Sequence, residues 1–128
     1  MLKLLIILFL SLCLSSCFEF FDGPSTFIKE RYNPQHTKKA ILFLKGGNAT
    51  MDNSLQVSVV DYEYTLGNHE VGNTFTVDSD HNLADLNSTS INLIWLTNET
   101  LEIGYDIRLR TFIQNKSVNG VTIVYESW

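Results

Sequence analysis

LEIGYDIRLR, residues 101–110, alternates without a break. Leu101, Ile103, Tyr105, Ile107 and Leu109 are apolar or aromatic; Glu102, Gly104, Asp106, Arg108 and Arg110 stand between them. Successive side chains of a strand point to opposite faces, so a period of two sustained over this length predicts one strand with an apolar face in and a polar face out. The pattern continues on both sides. Upstream, Ile91, Leu93 and Trp95 alternate with Asn92, and Thr97-Asn-Glu-Thr100 is the turn between the two runs. Downstream, Asn119-Gly120 stands between Val118 and Val121, and this dipeptide favours a type I′ hairpin because both residues accept positive φ. Val121, Ile123 and Tyr125 then share a face.

Further from this centre the β pattern persists. Leu55, Val57 and Val59 alternate with Gln56 and Ser58, and Val71, Phe75 and Val77 fall on one face around Thr74 and Thr76. KKAILFLK, residues 38–45, is a short apolar run closed by Gly46-Gly47-Asn48, the signature of a strand buried on both faces. No helical period is sustained in the body. The expected fold is all-β: an antiparallel β-sandwich or small barrel of about six or seven strands. Residues 17–37 read as a tether broken by Gly23-Pro24 and Asn33-Pro34, with a short helix expected over Ser25 to Tyr32. Phe18, Phe20 and Phe21 suit either a lipid headgroup zone or packing on the domain.

The chain starts MLKLLIILFLSLCLSSC. Lys3 forms a positive n-region and Leu4–Leu14 an apolar h-region, too short for a spanning helix of about 20 residues. Leu14-Ser15-Ser16-Cys17 resembles the lipobox of bacterial lipoproteins. The resemblance implies a diacylglycerol on the Cys17 sulfur, cleavage before Cys17 and acylation of the new amino group. Residues 1–16 would then be the signal peptide, 17–37 a lipid-anchored tether and 38–128 the β-domain. The alternative is an ordinary secreted protein cut near Ser15 or Ser16. Sequons at Asn48, Asn87, Asn98 and Asn115 suit a secreted glycoprotein, although triplets of this kind also arise by chance in an Asn- and Thr-rich chain.

Cys13 and Cys17 are the two cysteines of the 128 residues, and Cys13 would leave with the signal. The processed domain therefore has no internal disulfide and relies on its apolar core. With Lys3 gone, eight basic side chains oppose 14 acidic ones. That balance argues against nucleic acid as a partner and against electrostatic adhesion to anionic lipid. The lipid would hold the protein to a membrane while the acidic body stays in water. In some lipoproteins an Asp after the lipidated cysteine retains the protein at the inner membrane. Phe18 here implies the outer membrane where the cell has one. The body from Lys38 to Glu126 also resembles a group of uncharacterised bacterial exported proteins, through KKAILFLKGGNATMDNSLQVSV, VGNTFTVD and IWLTNETLEIGYD. That resemblance implies export and carries no activity.

Candidate chemistry is sparse. Asp78, Asp80 and Asn82, with Asp85 nearby, match the first half of a calcium loop, but Leu83 replaces the glycine and Thr89 the bidentate Glu. His36, His69 and His81 have no zinc spacing. There is no nucleophile elbow and no phosphate-binding loop. Arg108 and Arg110 are expected on the polar face of the long strand with Glu102 and Asp106, where they would grip a carboxylate or pair across strands. Tyr62 and Tyr64 are expected on one strand face, as a stacking surface or as cover for a neighbour. Trp95 is expected in the core. The functional expectation is a non-catalytic, lipid-anchored cell-envelope lipoprotein that binds a protein or glycan. The alternatives are an inhibitor or immunity protein against a lytic enzyme or toxin, and a calcium-dependent protein or small hydrolase.

Overall fold

The computed structural model describes residues 23–47 and 52–128. These form β1 (Ser25–Tyr32), β2 (Lys38–Lys45), β3 (Ser54–Asp61), β4 (Phe75–Asp78), β5 (Ile91–Trp95), β6 (Thr100–Tyr105), β7 (Arg110–Gln114), β8 (Ser117–Val118) and β9 (Val121–Ser127). There is no helix among them. One sheet has the order β1-β2-β3-β4-β7 and the other β5-β6-β9-β8, and together they make a β-sandwich. Cys17, Asn48 and the Phe18–Phe21 run lie outside the described residues.

The alternating stretch is not one strand. β6 stops at Tyr105, and β7 starts at Arg110 in the opposite sheet. The break is made by Asp106. Its Oδ1 accepts a hydrogen bond from the Arg108 backbone N–H at 2.9 Å, and its carbonyl accepts one from the Leu109 N–H at 3.0 Å. A side chain bonded two residues ahead is an Asx turn, which offers the backbone an alternative to the ladder. The Arg108 guanidinium then clamps the same carboxylate, with Nη2 2.6 Å from Oδ2. Ile107 is consequently exposed, while Leu109 returns to the core. Arg108 and Arg110 thus do not share a strand face with Glu102.

This switch also adds one parallel pair to an otherwise antiparallel sandwich. The chain leaves β6, runs along β7 in the other sheet, crosses back at β8 and turns at Asn119-Gly120. β9 therefore pairs with β6 in parallel, Leu101 opposite Ile123 and Ile103 opposite Tyr125. The turn has the anticipated conformation, with φ of 51° at Asn119 and 78° at Gly120. Asn119 Nδ2 donates to the Val59 carbonyl at 2.8 Å, tying the hairpin to the facing sheet.

Ser25–Tyr32 is a strand rather than a helix. It pairs along the whole of β2, from Ser25 opposite Lys45 to Tyr32 opposite Lys39, with a bulge at Ile28. An available sheet edge overrides a weak local helical preference. Part of the expected tether therefore belongs to the domain body. This strand, the division of residues 101–114 and the two-residue β8 raise the count above the expected six or seven. β1 also closes one side of the sandwich. Lys29 Nζ donates to the carbonyls of Ser88 at 2.7 Å and Ile91 at 2.8 Å, and Trp95 Nε1 to that of Arg31 at 2.8 Å. Trp95 itself is partly buried against the core.

The core lies between the sheets. Leu42, Leu55, Val57, Phe75 and Val77 face Ile91, Leu93, Leu101, Ile103, Val121 and Ile123. Phe75 sits at its centre, with ring centroids 5.1 Å from Tyr105 and 5.3 Å from Tyr125. The outer face of β2 carries a second cluster of Ile41 and Phe43 with Val60, covered by Leu66 from the segment after β3. Lys38–Lys45 is thus buried on both faces, as its unbroken apolar run predicts. Full burial of a Phe side chain stabilises by about 2–3 kcal/mol, and truncation adds the cost of a cavity. Phe75→Ala is expected to lower unfolding free energy by about 3–5 kcal/mol in urea titrations.

Candidate functional site

Even-numbered residues of β3 and β4 point away from the core. Near β1 they are covered by residues 62–73, which cross the outer sheet face. Toward β7 they are left open. There Ser54, Gln56, Thr76 and Asp78 form the floor of a groove of ≈ 430 Å³, walled by Gly46-Gly47 on one side and Arg110 and Phe112 on the other. A volume of this size falls within the range of small-ligand sites. The side chains of His81 and Asp52 close one end, with Nδ1 and Oδ2 3.8 Å apart.

Each wall has a local cause. Phe112 is the extra residue of a bulge, because Thr76 pairs with Ile113 and Val77 with Thr111. Its exposed ring lies 5.0 Å from the Arg110 guanidinium carbon. Arg110 is held in turn by Asp78, Nε to Oδ1 at 3.1 Å and Nη2 to Oδ2 at 2.6 Å. Burial pushes the Asp78 carboxyl up. The Arg110 hydrogen bonds and charge, with the Asp80 N–H at 2.9 Å, outweigh burial and hold it below the usual carboxylate range. Gln56 is fixed by accepting from the Gly72 N–H at 2.6 Å and donating to Ser54 Oγ at 2.9 Å. Lys45 secures the corner. Its buried ammonium donates to the carbonyls of Gly23 at 3.1 Å, Glu70 at 3.2 Å and His69 at 3.4 Å.

One group is left over. Thr76 Oγ1 is buried and has no hydrogen-bond partner among the described residues. A buried, unpaired hydroxyl costs about 1–3 kcal/mol, so native structures rarely keep one without reason. The groove therefore combines an aromatic face, a pre-paired Asp78–Arg110 couple, a fixed amide and an unmatched hydroxyl. Its principal charges cancel locally. Polar groups fixed in place beside an aromatic face, with little net charge, are the chemistry that suits an uncharged ligand.

The sequence-predicted residues are scattered by comparison. Arg110 and Asp78 meet here, but Arg108 sits at the Asx turn with Asp106. Tyr62 and Tyr64 lie beyond the end of β3, not on a strand face, with their hydroxyls on Glu63 and Glu70. Asp80, Asn82 and Asp85 follow Asp78 on the loop after β4. The Asp78 carboxylate is taken by Arg110, and among the described residues no three His, Cys, Asp or Glu side chains converge as metal ligands. Asp80, His81 and Asn82 instead take positive φ in succession, 46°, 58° and 67°. Gln56, Thr76 and Phe112 were not anticipated. Their outward phase follows from the strand alternation, but which outward residues stay uncovered depends on the path of residues 62–73.

No protein family, curated protein or solved structure matches the chain. The functional reading therefore rests on this geometry and on the amino-terminal sequence.

The carboxyls of Asp78 and Asp106 are both held low. The Arg108 hydrogen bonds bring Asp106 to about 2. Their contribution to stability is present above the unfolded carboxylate value, about 4, and is lost as pH falls through the folded values. Asp78→Asn is expected to cost about 2 kcal/mol at neutral pH, because it removes the bidentate carboxylate and leaves Arg110 only Asp80, 3.9 Å away. Urea titrations of both proteins should show that gap narrowing below about pH 4.

Proposed function

We propose that the chain is a lipid-anchored cell-envelope lipoprotein whose β-sandwich is a non-catalytic binding module, and that the groove over Gln56, Thr76 and Asp78 takes an uncharged segment of an envelope glycan. The observation that carries this reading is the exposed Phe112 ring over a floor of fixed Gln56 amide and paired Asp78 carboxylate, with the buried Thr76 hydroxyl unpaired beneath it and a side-chain rotation away from the groove. Sugar hydroxyls complete such polar groups, and the C–H face of a pyranose covers an aromatic ring. Cancelled charge supports a neutral ligand over an anionic one. The anchor rests on the n-region, h-region and Leu14-Ser15-Ser16-Cys17.

Calorimetric titration of the processed chain in detergent with solubilised envelope glycan tests the reading. Saturable binding that Phe112→Ala weakens at least about tenfold supports it, since a stacked aromatic is a typical hot spot. No binding to glycan, with stoichiometric capture of an envelope enzyme instead, would favour the inhibitor alternative.

Thr76→Val separates ligand binding from folding. The substitution keeps the shape and removes the unpaired hydroxyl, so stability should rise by about 1 kcal/mol in urea titrations. Glycan affinity should fall in the same protein. A fall in both would assign the hydroxyl a structural role.

A further inference from the structure

The structure also has a distinct end. The start of β1, the end of β2, the start of β3, the end of β4 and the start of β7 meet there, since Ser25 pairs with Lys45, Lys45 with Ser54, Ser54 with Asp78 and Asp78 with Arg110. The end of β9 joins them, with Ser127 opposite Tyr105. Gly23 is fixed at this end by the Lys45 ammonium on its carbonyl and by close packing on Gly46, whose oxygen would lie 1.9 Å from a Cβ at position 23.

Only residues 18–22 separate Cys17 from Gly23. Six residue steps reach at most about 20 Å even when fully extended. An eight-residue strand such as β2 is itself about 27 Å long. A lipid on Cys17 would therefore hold this end of the sandwich within about 20 Å of the bilayer, while the Asn119-Gly120 hairpin lies at the opposite end.

Some of the most exposed apolar side chains of the described residues are at the same end. Ile107 is 68 % exposed, Leu83 64 % and Trp128 57 %. They sit on neighbouring segments. The Ile107 N–H donates to the Trp128 carbonyl at 2.9 Å, and the Asp106 N–H to that of Ser90 at 3.2 Å. Single exposed apolar residues are ordinary. Three of them lie at the end that the short link would confine, whereas Leu96 and Val71, also exposed, lie elsewhere.

We propose that this end is a membrane-docking face, with Trp128 and Ile107 seated in the headgroup zone and Leu83 beside them. Trp is the side chain best suited to that depth, having an apolar body and a polar N–H. Asp80 and Asp85 lie on the loop that carries Leu83, and Asp52 lies at the same end just before β3, so the partner is a zwitterionic rather than an anionic lipid surface. Arg108 and Arg110 are already neutralised by Asp106 and Asp78. The proposal rests on lipidation of Cys17. It places the ligand groove, which shares Lys45, Gly46, Asp78 and Arg110 with this end, just above the bilayer.

The test uses the processed full chain in phosphatidylcholine vesicles carrying brominated acyl chains, with mass spectrometry of the amino-terminal peptide run in parallel. Trp95 and Trp128 are the only tryptophans, so Trp95→Phe and Trp128→Phe isolate each emission. The expected result is an acylated Cys17 peptide and Trp128 quenching about twofold or more stronger than that of Trp95. Ile107→Asp should reduce the quenching with an unchanged melting temperature. Leu96→Asp, at the far end, should leave it unchanged. Equal quenching of the two tryptophans in an acylated chain overturns the docking face alone. A peptide without acyl mass overturns the anchor and the docking face together.

Discussion

The carboxylate of Asp106 decides the topology. By accepting the Arg108 N–H and guanidinium, it ends β6 within a stretch whose hydrophobic period would carry the strand on. The four residues after Tyr105 then lead the chain across to the facing sheet. Everything after that turn follows from it. β7 extends the first sheet beyond β4, β8 and β9 return to the second, and β9 lies parallel to β6. The turn is held by neighbouring backbone as well, since Tyr105, Asp106 and Ile107 bond to Trp128 or Ser90.

The groove is a product of that crossing. Without β7 the outward residues of β4 would form an open edge. With it, Arg110 reaches back to Asp78, and the bulge at Phe112 raises an aromatic wall over Thr76. On the other side, Lys45 fixes the start of the domain to the segment that covers β1–β3. The ammonium and the Asp78–Arg110 pair thus stand at two corners of one surface. One fixes Gly23, where the described chain begins, and the other fixes the floor of the groove. Both are local electrostatic devices in a fold whose stability comes from the apolar layer beneath them.

Much of the fold was legible because burial enforces period two. Leu55-Val57-Val59, Ile91-Leu93 and Val121-Ile123 are core residues as their alternation implies, and the Asn119-Gly120 turn follows from residue chemistry alone. What misled was alternation without burial. Ile107 keeps the pattern of residues 101–110 but points to solvent, because a side-chain hydrogen bond competes locally with the ladder. The partner sheet of β1 was hidden for the opposite reason, since Ser25–Tyr32 is a strand only because β2 offers an edge. At the site, the Asp78–Arg110 pair joins two residues singled out separately for a cation loop and an anion grip. Their pairing depends on strand order, which no local pattern encodes. Thr76 matters only through the absence of a partner, a property of the folded surroundings.

The division of residues 101–114 between two sheets is the claim on which the groove and the parallel pair both depend. Cross-strand nuclear Overhauser contacts in the folded chain measure it directly. The account predicts contacts of Thr111 with Val77 and of Ile103 with Tyr125, as in the ladders joining β4 to β7 and β6 to β9. An unbroken antiparallel ladder continuing from Ile91 and Tyr105, placing Leu109 opposite Asn87, would contradict it.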